Sequence, residues 1–259
     1  MITSAHNPKL KLIRSLASRA KERKEAGLFF IEGVRLVEEA LDSNFQIDFV
    51  LYSSEASNKA QKVIGRIIAE GIDAEEVNGS VFRTISETET SQGLLAVVHF
   101  LPAKPEIDLK DNLILIPDQI RDPGNLGTLL RSAVAAGVQQ VIIPPETTDP
   151  FGPKVLRSGM GAHFKLKITS MTWEEIAQKL NGFVVFLAAA DGELVYWQAN
   201  FRQPMAIIIG GEADGAGTQA MNLANHKLNI PMNGKIESLN AGVAGSVILF
   251  EVLRQRSVS

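Results

Sequence analysis

Four short runs of unbroken aliphatic character recur in the second half of the chain: LILIP at 113–117, VII at 141–143, FVVFLA at 183–188 and AIII at 206–209. A strand with one wet face alternates apolar and polar residues, so unbroken runs mark strands covered on both sides. Helical patterns separate them, above all at 126–136, and a last helix is expected from about 239 to 254. Strands of this kind alternating with helices predict an α/β domain built on a parallel sheet.

The first hundred residues read differently. Leu10, Ile13, Leu16 and Ala17 recur at helical spacing, 28–31 reads as a strand, and Leu36, Val37, Ala40 and Leu41 mark a second helix. A strand at 49–52, a helix through Val63, Ile64, Ile67 and Ile68 that stops at Gly71, and a strand at 94–100 complete a small α/β domain over 1–100. The segment LPAKPEIDLKDN at 101–112 holds two prolines and five charged residues without periodicity, as a solvated linker requires. The second domain then covers 113–259.

Composition removes several function classes. Hydrophobic residues make up 45% and charged residues 21%, which suits a globular chain. No apolar run approaches the roughly 18–20 residues that span a bilayer, and the opening MITSAHNPKLKLIRSL has no secretory leader pattern, so a cytoplasmic protein without a membrane segment is expected. With no cysteine, thiolate catalysis, disulfides and Cys-based metal sites are excluded. The four histidines, at 6, 99, 163 and 226, lack paired ligand spacing, so no metal site is expected. Neither a G-x-S-x-G elbow nor a G-x-x-x-x-G-K-[ST] loop is present.

The net charge of −3 conceals an asymmetry, because Lys9, Lys11, Arg14, Arg19, Lys21, Arg23 and Lys24 face only Glu22 within the first 24 residues. Such a cluster attracts phosphates over a Debye length of roughly 8 Å, which marks these residues as candidates for nucleic-acid contact. A solvated helix face is the alternative.

Three turns bearing glycine or asparagine each follow a strand of the second domain, where open α/β sheets place their ligands. In DQIRDPGNLGTLLRSAVAAG, 118–137, Gly124 and Gly127 permit a tight turn, Asn125 can donate and accept, and Arg131 lies six residues on. Asn125 either caps the helix or faces a ligand. In AIIIGGEADGAG, 206–217, Gly210 and Gly211 precede the acid Glu212, and the backbone can approach a ligand closely. Gly215, Gly217 and Ala220 imitate a dinucleotide fingerprint, but Glu212 and Asp214 would repel a pyrophosphate there. In NIPMNGKIESLNAGVAGSVILFE, 229–251, Ser238 and Asn240 flank Leu239 at a helix start, where they either cap or bind substrate. The helix that follows interleaves Gly242, Ala244, Gly245 and Ser246 with aliphatic residues, suiting a tightly threaded core or a dimer interface.

In order and wording the three turns resemble the SpoU family of RNA ribose 2′-O-methyltransferases, of the SPOUT superfamily. DPGNLGTLLRSAVAAG at 122–137 looks like the family's first motif, 210–215 like its second, and IPMNGKIESLNAGV at 230–243 like its third. DPFGPKVLRSGMGAHF follows the family layout, with Arg157 and Gly161 in place and Gly159 at a usual serine position. The second motif reads GGEADG where the family more often has G-N-E-G-x-G. The opening forty residues are similar to the substrate-binding domain of the ribosomal RNA branch, which resembles a ribosomal protein.

The resemblance implies a C-terminal trefoil knot, S-adenosyl-L-methionine as cofactor held by Gly210, Gly211, Ile230, Met232 and Leu239, and a homodimer. It implies catalytic roles for Arg131, Asn125, Glu212, Ser238 and Asn240. The expected reaction is methylation of a ribose 2′-hydroxyl in large-subunit ribosomal RNA, at a guanosine. A transfer-RNA methylase of the same chemistry and a noncatalytic RNA-binding protein are the alternatives, and an oxidoreductase reading would need the fingerprint turn that 210–220 spoils.

Overall fold

In a computed structural model the described residues are 1–101, 113–212, 215–234 and 238–257, so the expected linker at 101–112 lies, Leu101 apart, outside them. They divide into two compact units, one of 1–101 with 151–164 and one of 113–150 with 165–257. The stretch 151–164, which the sequence reading assigned to the second domain, groups with the first unit.

The first unit opens with α1 (Pro8–Ser18), whose N-terminus is capped by Asn7: its side-chain oxygen accepts the Lys9 N–H at 2.8 Å, with Pro8 at the first helical position. Leu10, Ile13 and Leu16 expose nothing, and each such burial stabilises by about 1.5–3 kcal/mol. The next helix, α2 (Ala20–Ala26), ends at Gly27 with φ 66°, a left-handed cap that favours glycine. There follow β1 (Leu28–Glu32), α3 (Val34–Leu41), β2 (Ile47–Ser53), α4 (Asn58–Ala69), β3 (Ala74–Val77), α5 (Gly79–Phe82) and β4 (Leu94–His99).

The sheet runs β1-β4-β2-β3, antiparallel except for the β2–β3 pair. Alternation along β1 divides the core. Phe29 and Ile31 meet Val37, Ala40, Val63 and Ile67 of the helices on one face, whereas Leu28 and Phe30 meet Leu10, Ile13 and Leu16 on the other. Phe151 joins the first cluster, its ring 5.0 Å from that of Phe29 and 4.7 Å from that of Phe100. Burial of these rings ties 151–164 to this unit despite its place in the chain. Strand β3 went unread in the sequence because Ala74-Glu75-Glu76-Val77 buries only Val77 at a sheet edge.

The second unit begins with β5 (Leu113–Pro117), α6 (Pro123–Ala135) and β6 (Gln140–Ile143). After α7 (Pro153–Gly159), which belongs to the first unit, it continues with β7 (Lys167–Ser170), α8 (Trp173–Lys179), β8 (Val184–Ala188), β9 (Leu194–Val195) and β10 (Met205–Ile209). It closes with α9 (Thr218–Leu223), β11 (His226–Asn229) and α10 (Ala241–Ser257).

All seven strands are parallel, in the order β7-β6-β5-β10-β8-β11-β9. This is the α/β parallel sheet expected from the aliphatic runs, and β5, β6 and β10 are buried along their whole length. Connections diverge on either side of the β5–β10 pair, which makes the carboxyl ends of the central strands a switch point for ligand binding. The turns that begin at Asp118 and Gly210 start from those ends, and the one that begins at Ile230 starts two strands from β10, at the carboxyl end of β11.

Helix α10 packs on α6 through its small residues. A Cβ on Gly242 would lie 3.3 Å from the Asn125 carbonyl oxygen, one on Gly245 would overlap Leu129 Cδ2, and the Ser132 and Ser246 hydroxyls hydrogen-bond at 2.7 Å. The glycines therefore serve close helix contact inside the unit. Among the described residues no helix is long and apolar enough to cross a membrane.

Candidate active site

The first turn is shaped by helix capping. Asp122 caps α6 by accepting the Asn125 N–H at 2.8 Å, and Pro123 supplies the first helical φ. This leaves the Asn125 side chain free of capping, and it is used at both ends. Its Nδ2 donates to Glu212 Oε1, and its Oδ1 accepts from Asn240 Nδ2 at 2.8 Å. Asn240 in turn caps α10, its Oδ1 accepting the N–H groups of Gly242 at 2.9 Å and Val243 at 3.3 Å. One residue from each of the three turns is thus joined in a single hydrogen-bonded chain.

The other expected catalytic residues stand apart from that chain. Arg131 is exposed and has no side-chain partner among the described residues. Six residues beyond Asn125, it lies about 9 Å along α6 and about 120° around it. Ser238 is exposed and lines the adjoining pocket.

That pocket has a volume of about 550 Å³, within the roughly 300–1,000 Å³ of small-molecule and cofactor sites. Gly210, Gly211, Ile230, Met232 and Leu239 all line it, together with Glu212 and Ser238. Sequence reading missed Ala188, Ala189, Ala190, Leu228 and Asn229 as further lining. The signal for the three alanines was the small-residue tail of FVVFLAAA, at the same end of the sheet as the three turns.

The lining fits a cofactor that carries an adenosine and a charged methionine tail. Aliphatic side chains offer an apolar wall, and glycines bring backbone donors and acceptors to the surface. A Cβ on Gly210 would approach Ala216 N to 2.6 Å, and one on Gly211 would approach the Gln119 carbonyl oxygen to 2.5 Å, so neither position has room for a side chain. Asn229 adds a polar group: Nδ2 donates to the Gly192 carbonyl at 2.7 Å, while the buried Oδ1 has no partner among the described residues. Among those residues no group of three His, Asp or Glu is placed to hold a metal ion.

The N-terminal cations separate into two sets. Lys11, Arg19, Lys21 and Lys24 are exposed, with Lys21 paired loosely to Glu25 at 3.6 Å. Lys9 pairs with Asp73 at 2.7 Å and Glu75 at 3.3 Å, and Arg14 donates to the Ala5 carbonyl and the Thr84 hydroxyl. Arg23 is only 5% exposed and donates to the Leu16 carbonyl, so it braces α1 and α2 and is withdrawn from any phosphate. Its expected place on an RNA surface is corrected accordingly.

Residues 112–250 match the model of the SpoU rRNA Methylase family, and residues 7–96 match an MRM3-like substrate binding domain. The chain is 32% identical to the 23S rRNA (guanosine(2553)-2′-O)-methyltransferase RlmP of Bacillus subtilis, over 97% of this chain and 98% of that protein. It is 27% identical to a 23S rRNA (uridine(2479)-2′-O)-methyltransferase of Streptomyces viridochromogenes, over 98% and 92%. An AdoMet-bound rRNA methyltransferase from Sinorhizobium meliloti superposes with a TM-score of 0.86 at 30% identity, covering 98% of this chain and 97% of that one. The chain therefore belongs to the SpoU rRNA methylase family, as an RNA 2′-O-methyltransferase with S-adenosyl-L-methionine as its cofactor.

Proposed function

We propose that this enzyme methylates the ribose 2′-hydroxyl of a guanosine in large-subunit ribosomal RNA, as a cytoplasmic homodimer with a knotted second domain. The observation that carries the reading is the bonded chain Glu212–Asn125–Asn240 beside a pocket walled by glycine backbone. The match of 7–96 to a substrate-binding domain supports an RNA grip in the first unit, where Lys11, Arg19, Lys21 and Lys24 face solvent. The guanosine is supported by the Bacillus relative, whose name specifies that base.

When bound, the cofactor supplies an electrophilic methyl group on its sulfonium. The protein's task is to bring a ribose hydroxyl into line with it. Gly210, Gly211, Ile230, Met232 and Leu239 hold the pocket side, and Ser238 adds a hydroxyl at its edge. Asn125 fixes the carboxylate of Glu212 and the amide of Asn240, which sets the polar side of the site before RNA arrives. Arg131 clamps the adjoining RNA phosphate and stabilises the developing alkoxide. An arginine guanidinium holds its proton throughout, so the base lies elsewhere. The hydroxyl proton passes to the phosphate or to water.

A dimer is supported by α10, where Val243 and Phe250 are 45% and 48% exposed and two helical turns apart. Sedimentation at micromolar concentration is expected to show twice the monomer mass, and a monomer would count against the dimer. The activity test is transfer of labelled methyl to unmodified ribosomal and transfer RNA pools, with Arg131→Lys alongside and the 2′-O-methyl positions mapped. Label in ribosomal RNA at one guanosine, much reduced in the variant, is expected. Label only in transfer RNA, or full turnover and unchanged RNA affinity in Arg131→Lys, would overturn the substrate or the arginine's role respectively.

A further inference from the structure

Asp118 is a buried carboxylate to which the methyl-transfer chemistry assigns no part. It follows β5 directly and is 1% exposed. Its backbone N–H donates to the carbonyl of Ile209, the last residue of β10, at 2.8 Å. Its side-chain Oδ2 accepts the N–H of Gly217, just before α9, at 2.7 Å. One residue therefore holds both ends of the turn that begins at Gly210 and closes at Gly217. That turn presents Gly210 and Gly211 to the pocket and Glu212 to Asn125.

The surroundings are moulded to this arrangement. Gln119 adopts a left-handed backbone with φ 54°, and the Thr147 hydroxyl accepts its N–H at 3.0 Å. A Cβ on Gly217 would come within 2.7 Å of Gln119 Nε2, and one on Gly211 within 2.5 Å of the Gln119 carbonyl oxygen. Gly211 and Gly217 therefore both rest against 118–119, with no room for a side chain at either position. Oδ1 of Asp118 is buried with no partner among the described residues. A buried, half-satisfied carboxylate is costly to keep, and its one side-chain bond goes to the turn of the site.

We propose that Asp118 is a positioning residue for methyl transfer, stapling the 210–217 turn so that its backbone shapes the cofactor pocket and Glu212 meets Asn125. The proposal rests on the assignment of that pocket to S-adenosyl-L-methionine. Asp118 touches neither cofactor nor RNA in this role and acts only through the turn. Removing its acceptor leaves the half-buried Gly217 N–H without this partner and frees one end of the turn. Replacing it with asparagine keeps an oxygen acceptor of the same reach.

The test compares the full-length protein with Asp118→Ala and Asp118→Asn, by calorimetric titration with S-adenosylhomocysteine, gel-shift affinity for a ribosomal RNA fragment, and steady-state kinetics. For Asp118→Ala, affinity for S-adenosylhomocysteine is expected to fall about ten-fold or more, with a raised KM for the cofactor and a lowered kcat, while RNA affinity stays within about two-fold. Asp118→Asn is expected to restore most of the cofactor affinity. If Asp118→Ala fails to fold, Asp118→Ser, whose hydroxyl stops short of Gly217, is read in the same way. Wild-type cofactor affinity in Asp118→Ala, or equal loss of cofactor and RNA binding in both Asp118→Ala and Asp118→Asn, overturns the proposal. Failure of the wild-type protein itself to bind S-adenosylhomocysteine would instead overturn the pocket assignment beneath it.

Discussion

Asn240 donates its side-chain amide to Asn125 across 2.8 Å, joining two residues 115 positions apart in the chain. Asn240 holds the start of α10 with its oxygen and the site with its nitrogen, so the two duties can be separated. Asn240→Asp keeps the capping acceptor and loses the donor. Stability within about 0.5 kcal/mol of wild type is expected, because Asp and Asn cap equally well. Single-turnover methylation is expected to slow about ten-fold or more through loss of the bond to Asn125. A stable, fully active variant would remove this hydrogen bond from the mechanism.

Asn125→Asp places a carboxylate beside that of Glu212 and removes the donor between them. Like charges at that distance disfavour each other, so the pair separates or takes up a proton. A fall in kcat of about a hundred-fold is expected, partly recovered in the double variant Asn125→Asp/Glu212→Gln, which restores a donor. Full activity in Asn125→Asp would show that the bond to Glu212 has no catalytic weight.

The packing of α6 on α10 makes a prediction about stability alone. A side chain at Gly245 must displace Leu129, and overpacking of this kind costs about 1–3 kcal/mol. Gly245→Val is expected to lower the urea midpoint accordingly. Combined with Leu129→Ala it should cost less than the two single changes together, because the truncated leucine yields the space. Simple additivity would mean that the helices do not meet at this point.

Burial raises the carboxyl of Asp118 above its ordinary range, the Gly217 N–H opposes that shift, and the charge of Glu146 adds to it. A raised folded-state value means that the stabilising contribution of protonated Asp118 is full below the unfolded value, near 3.8, and is lost as pH rises through the folded value. Asp118→Asn cannot lose a proton. Its urea stability is therefore expected to gain on the wild-type protein as pH rises from 4 into the neutral range, and an unchanging difference would contradict the burial effect.

The N-terminal cations should respond unequally. Lys11→Ala and Lys24→Ala remove exposed charges and are expected to weaken RNA binding, lowering the slope of log affinity against log salt by about 1 for each phosphate that is no longer neutralised. Arg23→Ala is expected to lower the thermal midpoint instead, because it removes a buried donor from the Leu16 carbonyl. If Arg23→Ala changed only the salt slope, its placement between α1 and α2 would be wrong.

Much of the fold was legible from local pattern. The aliphatic runs at 113–117, 141–143 and 206–209 are buried strands, and the spacing of Leu10, Ile13 and Leu16 is a helix face, because both signals repeat within a few residues. The edge strands β3 and β7 and the two-residue β9 carried no such signal, since pairing with a neighbour and not burial makes them strands. Asn125, Glu212 and Asn240 could be named from their turns, but their joining required the parallel sheet to bring three distant strand ends together. Side-chain partners at long range follow from the packed chain alone. The sequence by itself therefore determined the buried strands, the helices with one apolar face and the chemical types gathered at the turns. Only the tertiary structure decided that Arg23 serves its own helix pair, that 151–164 packs with the first unit, and that Asp118 holds the 210–217 turn. Each depends on which atoms lie within about 3 Å of one another after folding, a distance that residue order does not encode.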